Sequence, residues 1–179
     1  MWRLILLCGV ATALSGCCQR SVADVLILNN TEVPLEAVVG EGEPVEIAPN
    51  TMGLALGPPG AATLTLREVG AAAPLKEIPI QLRFEDTALV TARPGSCAVI
   101  ADYTAQYGDR SGRVEAVTRI GDKAPGRVMR HNFMLLLGPQ DEMPDELNEH
   151  GTIHRLTEVP CGLLDGEQAA LERHLARLK

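Results

Sequence analysis

The feature that most constrains this chain is a series of short segments in which apolar and polar residues alternate, separated by proline, glycine and asparagine turns. Ala62, Leu64 and Leu66 alternate with Thr63, Thr65 and Arg67. Ile78, Ile80, Leu82 and Phe84 alternate with Pro79, Gln81, Arg83 and Glu85. Cys97, Val99, Ala101, Tyr103 and Ala105 share one face of a segment whose other face is Ala98, Ile100, Asp102, Thr104 and Gln106. A period of two is that of a half-buried antiparallel strand, with one face on a core and one in water. Val25–Leu28, Leu35–Val39 and Val45–Ala48 read as further strands, ended by Asn29-Asn30-Thr31, Gly40-Glu41-Gly42 and Pro49-Asn50. Pro59-Gly60 and Pro94-Gly95 each suit the centre of a type II turn. Pro79 cannot donate to a ladder, which predicts an edge strand there.

The later part of the chain is less regular. Gly108 to Gly126 predicts a loop, one exposed strand around Val114 to Ile120 and a second loop. Val128 to Leu137 predicts one long strand stopped by Gly138-Pro139. Pro144-Asp145-Glu146 suits a first helical turn with an exit at Gly151. Asp165, with Gln168 three residues on, suits a helix cap. Leu171, Leu175 and Leu178 then form one apolar stripe, expected to dock on the sheet. The expected fold is mostly β: a single Ig-like β-sandwich with one or two short C-terminal helices.

The first residues obey a different rule. Arg3 precedes an uncharged run from Leu4 to Leu14, then small residues and a cysteine. That is the pattern of a secretory signal, and the run is shorter than the about 20 apolar residues a membrane span needs. Leu14-Ser15-Gly16-Cys17 resembles the lipobox of bacterial lipoproteins at all four positions. The resemblance covers only the leader. It implies a diacylglyceryl group on the Cys17 sulfur, cleavage between Gly16 and Cys17, and acylation of the new amine. Two or more acyl chains hold a protein firmly, at about 0.8 kcal/mol per buried CH₂. The expected organisation is a signal peptide over 1–16, a lipidated N-terminus and short tether over 17–23, and the β-sandwich over 24–179. Position two after cleavage is Cys18, not Asp, which by the same resemblance implies the outer membrane, facing the periplasm. Asp24 is seven positions beyond Cys17, about 25 Å at full extension, so the domain is expected close to the bilayer.

A weaker resemblance concerns architecture. Ala48-Pro49-Asn50-Thr51, Pro59-Gly60 and the alternating Ala62 to Leu66 follow the order seen in envelope β-sandwich repeats of the PEGA type. The glycine-aromatic pair of that repeat is missing, with Gly70-Ala71 in its place.

Removing residues 1–16 leaves 163 residues, enough for one domain with its own core. The leader carries only Arg3, so 15 cations and 23 acids remain, a formal charge of −8. Such a chain has no electrostatic route to nucleic acid. Its aromatics, Phe84, Tyr103, Tyr107 and Phe133, are too few for a stacking platform as well as a core. Of five cysteines, Cys8 leaves with the leader and Cys17 is the lipidation residue. Cys97 opens a strand and Cys161 sits between Pro160 and Gly162; a Cys97–Cys161 disulfide is expected, with two buried thiols as the alternative. Cys18 is open to three fates: free, acylated, or paired with the Cys18 of a neighbour.

No common catalytic signature is present: no Gly-x-Ser-x-Gly, phosphate loop, His-Glu-x-x-His, calcium loop or dinucleotide fingerprint. Ser96 follows Gly95, but Cys97 and Ala98 do not complete a nucleophile elbow. One acidic and histidine cluster could hold zinc: Glu146 and His150 are four apart, and His154 is four further. The same acids also suit the first turn of a helix. His131 reads as a strand-face residue and His174 as solvated. No cofactor is implied. Three readings follow: a non-catalytic envelope lipoprotein whose partners are the bilayer, through acylated Cys17, and another envelope protein; a metal-dependent hydrolase using His150 and His154; and a carrier or assembly factor holding an apolar ligand.

Overall fold

Val25-Leu26-Ile27-Leu28 has no polar face, and a strand without one is stable only when covered on both sides. The computed structural model, which describes residues 22–107, 114–129, 134–147 and 151–178, puts this segment at the centre of the molecule. Strand β1 (Ala23–Asn29) lies between β4 (Thr51–Gly57), antiparallel, and β7 (Thr87–Thr91), parallel; β10 (Gly126–Val128) flanks β7. These four form an inner sheet of order β10-β7-β1-β4.

Two outer sheets cover it. The first, of order β3-β2-β5-β6, is antiparallel throughout and comprises β2 (Leu35–Val39), β3 (Val45–Ile47), β5 (Gly60–Glu68) and β6 (Lys76–Leu82). The second, of order β11-β12-β8-β9, comprises β8 (Cys97–Asp102), β9 (Glu115–Ile120), β11 (Met134–Leu137) and β12 (Thr152–Val159). Val25 and Ile27 face the first outer sheet and pack with Leu35, Leu64, Leu66 and Ile80. Leu26, Leu28 and Leu89 face the second and pack with Ala98, Ile100 and Leu156. The far side of the second outer sheet is covered by helix α1 (Gln168–Leu175). Leu171 and Leu175 are fully buried there against Cys97, Val99 and Ile153, while Leu178 is exposed.

The mostly β, sandwich-like expectation therefore holds, with one short C-terminal helix and a third sheet. Pro79 does lie on an edge strand, β6. The Pro94-Gly95 turn is a type II turn: Gly95 has φ +74° and the Ser96 N–H donates to the Arg93 carbonyl at 3.3 Å. Pro59-Gly60 does a different job. Gly60, at φ +120°, carries the chain from β4 in the inner sheet to β5 in the first outer sheet, instead of closing a hairpin.

Other expectations are corrected. The strand begun at Cys97 ends at Asp102, and Thr104–Tyr107 is a 3-10 turn anchored by the Asp102 carboxylate, which accepts from the Thr104 N–H at 2.8 Å. The expected long strand from Val128 to Leu137 is two strands in different sheets, β10 and β11, with residues 130–133, His131 among them, outside the described residues. Pro144–Leu147 is not helical. The cap of α1 is Glu167, two residues beyond Asp165, and makes no side-chain capping bond.

Candidate functional site

The motif Leu14 to Cys17 and its neighbour Cys18 lie outside the described residues. The structure does place the point at which the chain from Cys17 enters the domain. Val22 immediately precedes β1. The parallel register Val25↔Ala88 carries Phe84, Glu85 and Asp86, just before β7, to the same end as Val22. The register Val128↔Thr87 brings Met129 beside Asp86 at that end. Val22, Asp24, Phe84, Glu85, Asp86 and Thr87 line a shallow hollow of about 120 Å³. Arg127 braces the loop, with Nη1 at 3.0 Å from Asp86 Oδ2 and Nη2 donating to the Gln81 carbonyl at 2.7 Å.

The expected disulfide is present between Cys97 and Cys161. It joins the start of β8 to the 3-10 turn Cys161–Leu163 that leads into α1. Ser96, beside it, is buried. Its Oγ accepts from Asn30 Nδ2 at 2.6 Å and donates to Glu158 Oε1 at 2.9 Å. Asn30 Oδ1 in turn accepts from the Arg93 N–H at 2.9 Å. These bonds knot the end of β1, the β7–β8 turn and β12 together. The arrangement ties three segments of different sheets together and sets the Ser96 hydroxyl against the Glu158 carboxylate.

The zinc hypothesis required Glu146, His150 and His154 on one helix face. Glu146 is exposed in a non-helical segment, and His150 lies outside the described residues. His154 is on β12 opposite Asp102, with Nε2 at 3.8 Å from Asp102 Oδ2. Glu146 and His154 therefore do not share a helix. Among the described residues, no group of three His, Cys, Asp or Glu side chains is placed to hold a metal ion.

A cleft of about 290 Å³ that sequence reasoning missed opens on the second outer sheet, between β12 and the chain end. Tyr103, Pro139, Arg155, Thr157, Glu158 and Leu178 line it. Burial pushes the Tyr103 phenol up from its ordinary value, partly opposed by the Arg155 guanidinium. Arg155 Nη2 is committed to the carbonyls of Pro139 at 2.7 Å and Asp141 at 3.0 Å, and Glu158 pairs with Arg93 at 3.6 Å. The lining thus offers a phenol tip, a carboxylate and a short apolar wall. It is an open, half-polar cleft and not the enclosed apolar hollow that an apolar-ligand carrier needs. No sequence signal marked it, because its residues come from four separate segments.

Comparison with protein-family models, with curated proteins and with solved structures finds no match for this chain. Among the described residues no helix is long and apolar enough to cross a membrane.

Proposed function

We propose that this chain is a lipid-anchored protein of the bacterial envelope, held by acyl chains on Cys17, whose three-sheet domain acts without catalysis by contact with another envelope component. The observation that carries the reading is the leader: Arg3, an uncharged apolar run to Leu14, and Leu14-Ser15-Gly16-Cys17 at its end. Three further facts support it. A disulfide joins Cys97 and Cys161, as suits an exported protein in an oxidising compartment. The tether is short, with Cys17 only seven positions before Asp24. The acidic balance after cleavage argues against nucleic acid as a partner. Cys18 in place of Asp at the second position favours the outer membrane, with the domain in the periplasm.

The test is made on the full chain in a bacterial host. Labelled palmitate is expected to enter the protein, and Cys17→Ser is expected to abolish labelling, leave the leader uncut and release nothing of mature size to the membrane fraction. Unchanged processing and membrane retention in Cys17→Ser would overturn the anchor. Crosslinking in intact cells is expected to trap one envelope protein reproducibly; recovery of the chain alone would overturn the contact role.

A further inference from the structure

The end of the sandwich that receives the N-terminal chain carries three apolar side chains that the core does not use. Phe84 is 60 % exposed, Met129 62 % and Val22 37 %. They come from three different strands' ends, and the pairing of β1 with β7 and of β7 with β10 fixes them on one rim. Phe84 is one of only four aromatic residues left once the leader is removed, and it is spent on the surface. Val22 is five positions beyond Cys17, a reach of at most about 18 Å when fully extended. A lipid-held Cys17 therefore leaves this rim within a short distance of the headgroups, whichever way the tether bends.

We infer that the Val22, Phe84 and Met129 rim is the membrane-contact face of the domain, with Phe84 and Met129 seated in the interfacial layer of the bilayer. The inference rests on the lipid anchor proposed above. An aromatic ring and a thioether are side chains that gain from the headgroup boundary without needing the hydrocarbon centre. The charges around them set the depth. Asp24, Glu85 and Asp86 stand beside Phe84, with Arg127 paired to Asp86 and the exposed Arg83 next to Phe84 in sequence. Carboxylates and guanidinium groups resist dehydration, so contact stays shallow. The opposite end of the sandwich, where β5 finishes and Val69 is also exposed, is then held off the membrane by the length of β1.

The leader takes the single tryptophan, Trp2, with it, so the processed protein has none of its own. This makes a direct test possible. Full-length protein carrying Phe84→Trp, Met129→Trp or Val69→Trp is expressed with its leader, purified and reconstituted into phosphatidylcholine vesicles containing acyl-chain-brominated lipid. Mass spectrometry reports the acyl chains on Cys17 separately. The expected result is a blue-shifted, strongly quenched emission for Phe84→Trp and Met129→Trp, and water-like unquenched emission for Val69→Trp. Acylated protein whose Phe84→Trp and Met129→Trp emission is no more quenched than that of Val69→Trp would overturn this face while leaving the anchor standing. Protein without acyl chains on Cys17 would overturn both.

Discussion

Lys76 on the edge strand β6 and Asp122, just past β9, form an ion pair that joins the two outer sheets across the side of the inner one. Lys76 Nζ is 2.9 Å from Asp122 Oδ1 and also donates to the Thr91 carbonyl at 3.0 Å. The three groups belong to the first outer, second outer and inner sheets, in residues far apart in sequence. The Lys76 side chain is only 10 % exposed, so its ammonium depends on these partners.

Replacing Asp122 by Ala should therefore destabilise the fold by about 1–3 kcal/mol, because it leaves a largely buried cation with one acceptor. Lys76→Met should be milder, since both the charge and its requirement for partners are removed together. The hydrogen bond from Lys76 holds the Asp122 carboxyl below its ordinary 3.8. A lowered carboxyl stabilises fully above that ordinary value and loses its contribution as pH falls through the folded value. The gap between wild type and Asp122→Asn in denaturant unfolding is thus expected to be constant near neutrality and to close below about pH 4. A gap that widens in acid would contradict this assignment.

Asn29, at the end of β1, is a second buried junction, fully shielded from solvent. Its Nδ2 donates to the carbonyls of Val33, Ile47 and Ala48 at 2.9–3.0 Å, and its Oδ1 accepts from Thr31 N–H and Oγ1–H. Asn29→Ala should destabilise by about 1–3 kcal/mol through the orphaned carbonyls and amide. Asn29→Asp should be worse at neutral pH, because it turns a carboxylate toward three carbonyls. Burial would raise that carboxyl's folded value above its unfolded one, so the damage is expected to shrink in mild acid. Thermal melts of both variants at neutral and mildly acidic pH check the order and the sign.

In β4 the small residues face inward. A Cβ on Gly53 would lie 2.4 Å from Ile47 Cγ1, and one on Gly57 would lie 2.3 Å from Val39 Cγ1. At these two positions the inner sheet comes so close to the first outer sheet that only hydrogen fits. Gly53→Ala and Gly57→Ala should each destabilise by about 1–3 kcal/mol through overpacking. Leu54→Ala, on the exposed face of the same strand, should change stability by less than about 0.5 kcal/mol. Equal effects at Gly53 and Leu54 would mean that β4 is not held against β3 in this way.

That inversion explains part of what the sequence left unread. β2, β3, β5, β6 and β9 lie in outer sheets with one wet face, and their alternation located them. β4 carries Met52, Leu54 and Leu56 away from its tightest contact, so its pattern gave no inward face. β12 failed for another reason. On one face only Ile153 and Val159 meet the core, because Arg155 and Thr157 line the open cleft; on the other only Leu156 lies beneath the inner sheet. Its apolar residues therefore fall three apart and imitate a helix. The third sheet was hidden in β1 and β7, whose unbroken apolar runs signal burial on both faces but do not say what covers each. The cleft was illegible because no local pattern links Tyr103 to Arg155 and Leu178.

The disulfide supplies the last prediction. Cys97 and Cys161 close a loop of 64 residues in sequence separation, which in the chain-entropy model corresponds to about 4 kcal/mol of stability. The loop contains β9, β11 and β12, so the bond constrains most of the second outer sheet. It also fixes the start of the segment that places Leu171 and Leu175 over Val99 and Ile153. The Cys97→Ala/Cys161→Ala variant should lower the denaturation midpoint while keeping the β signature in circular dichroism. Loss should be uneven. Amide hydrogen exchange is expected to rise most in α1 and β12, and least in β1, the covered strand of the inner sheet, and β5 of the first outer sheet. Leu171→Ala, which opens a cavity under the same helix and should cost about 2–5 kcal/mol, is expected to raise exchange in the same segments. Uniform acceleration across all three sheets in either variant would show that the helix layer and the sandwich unfold as one unit.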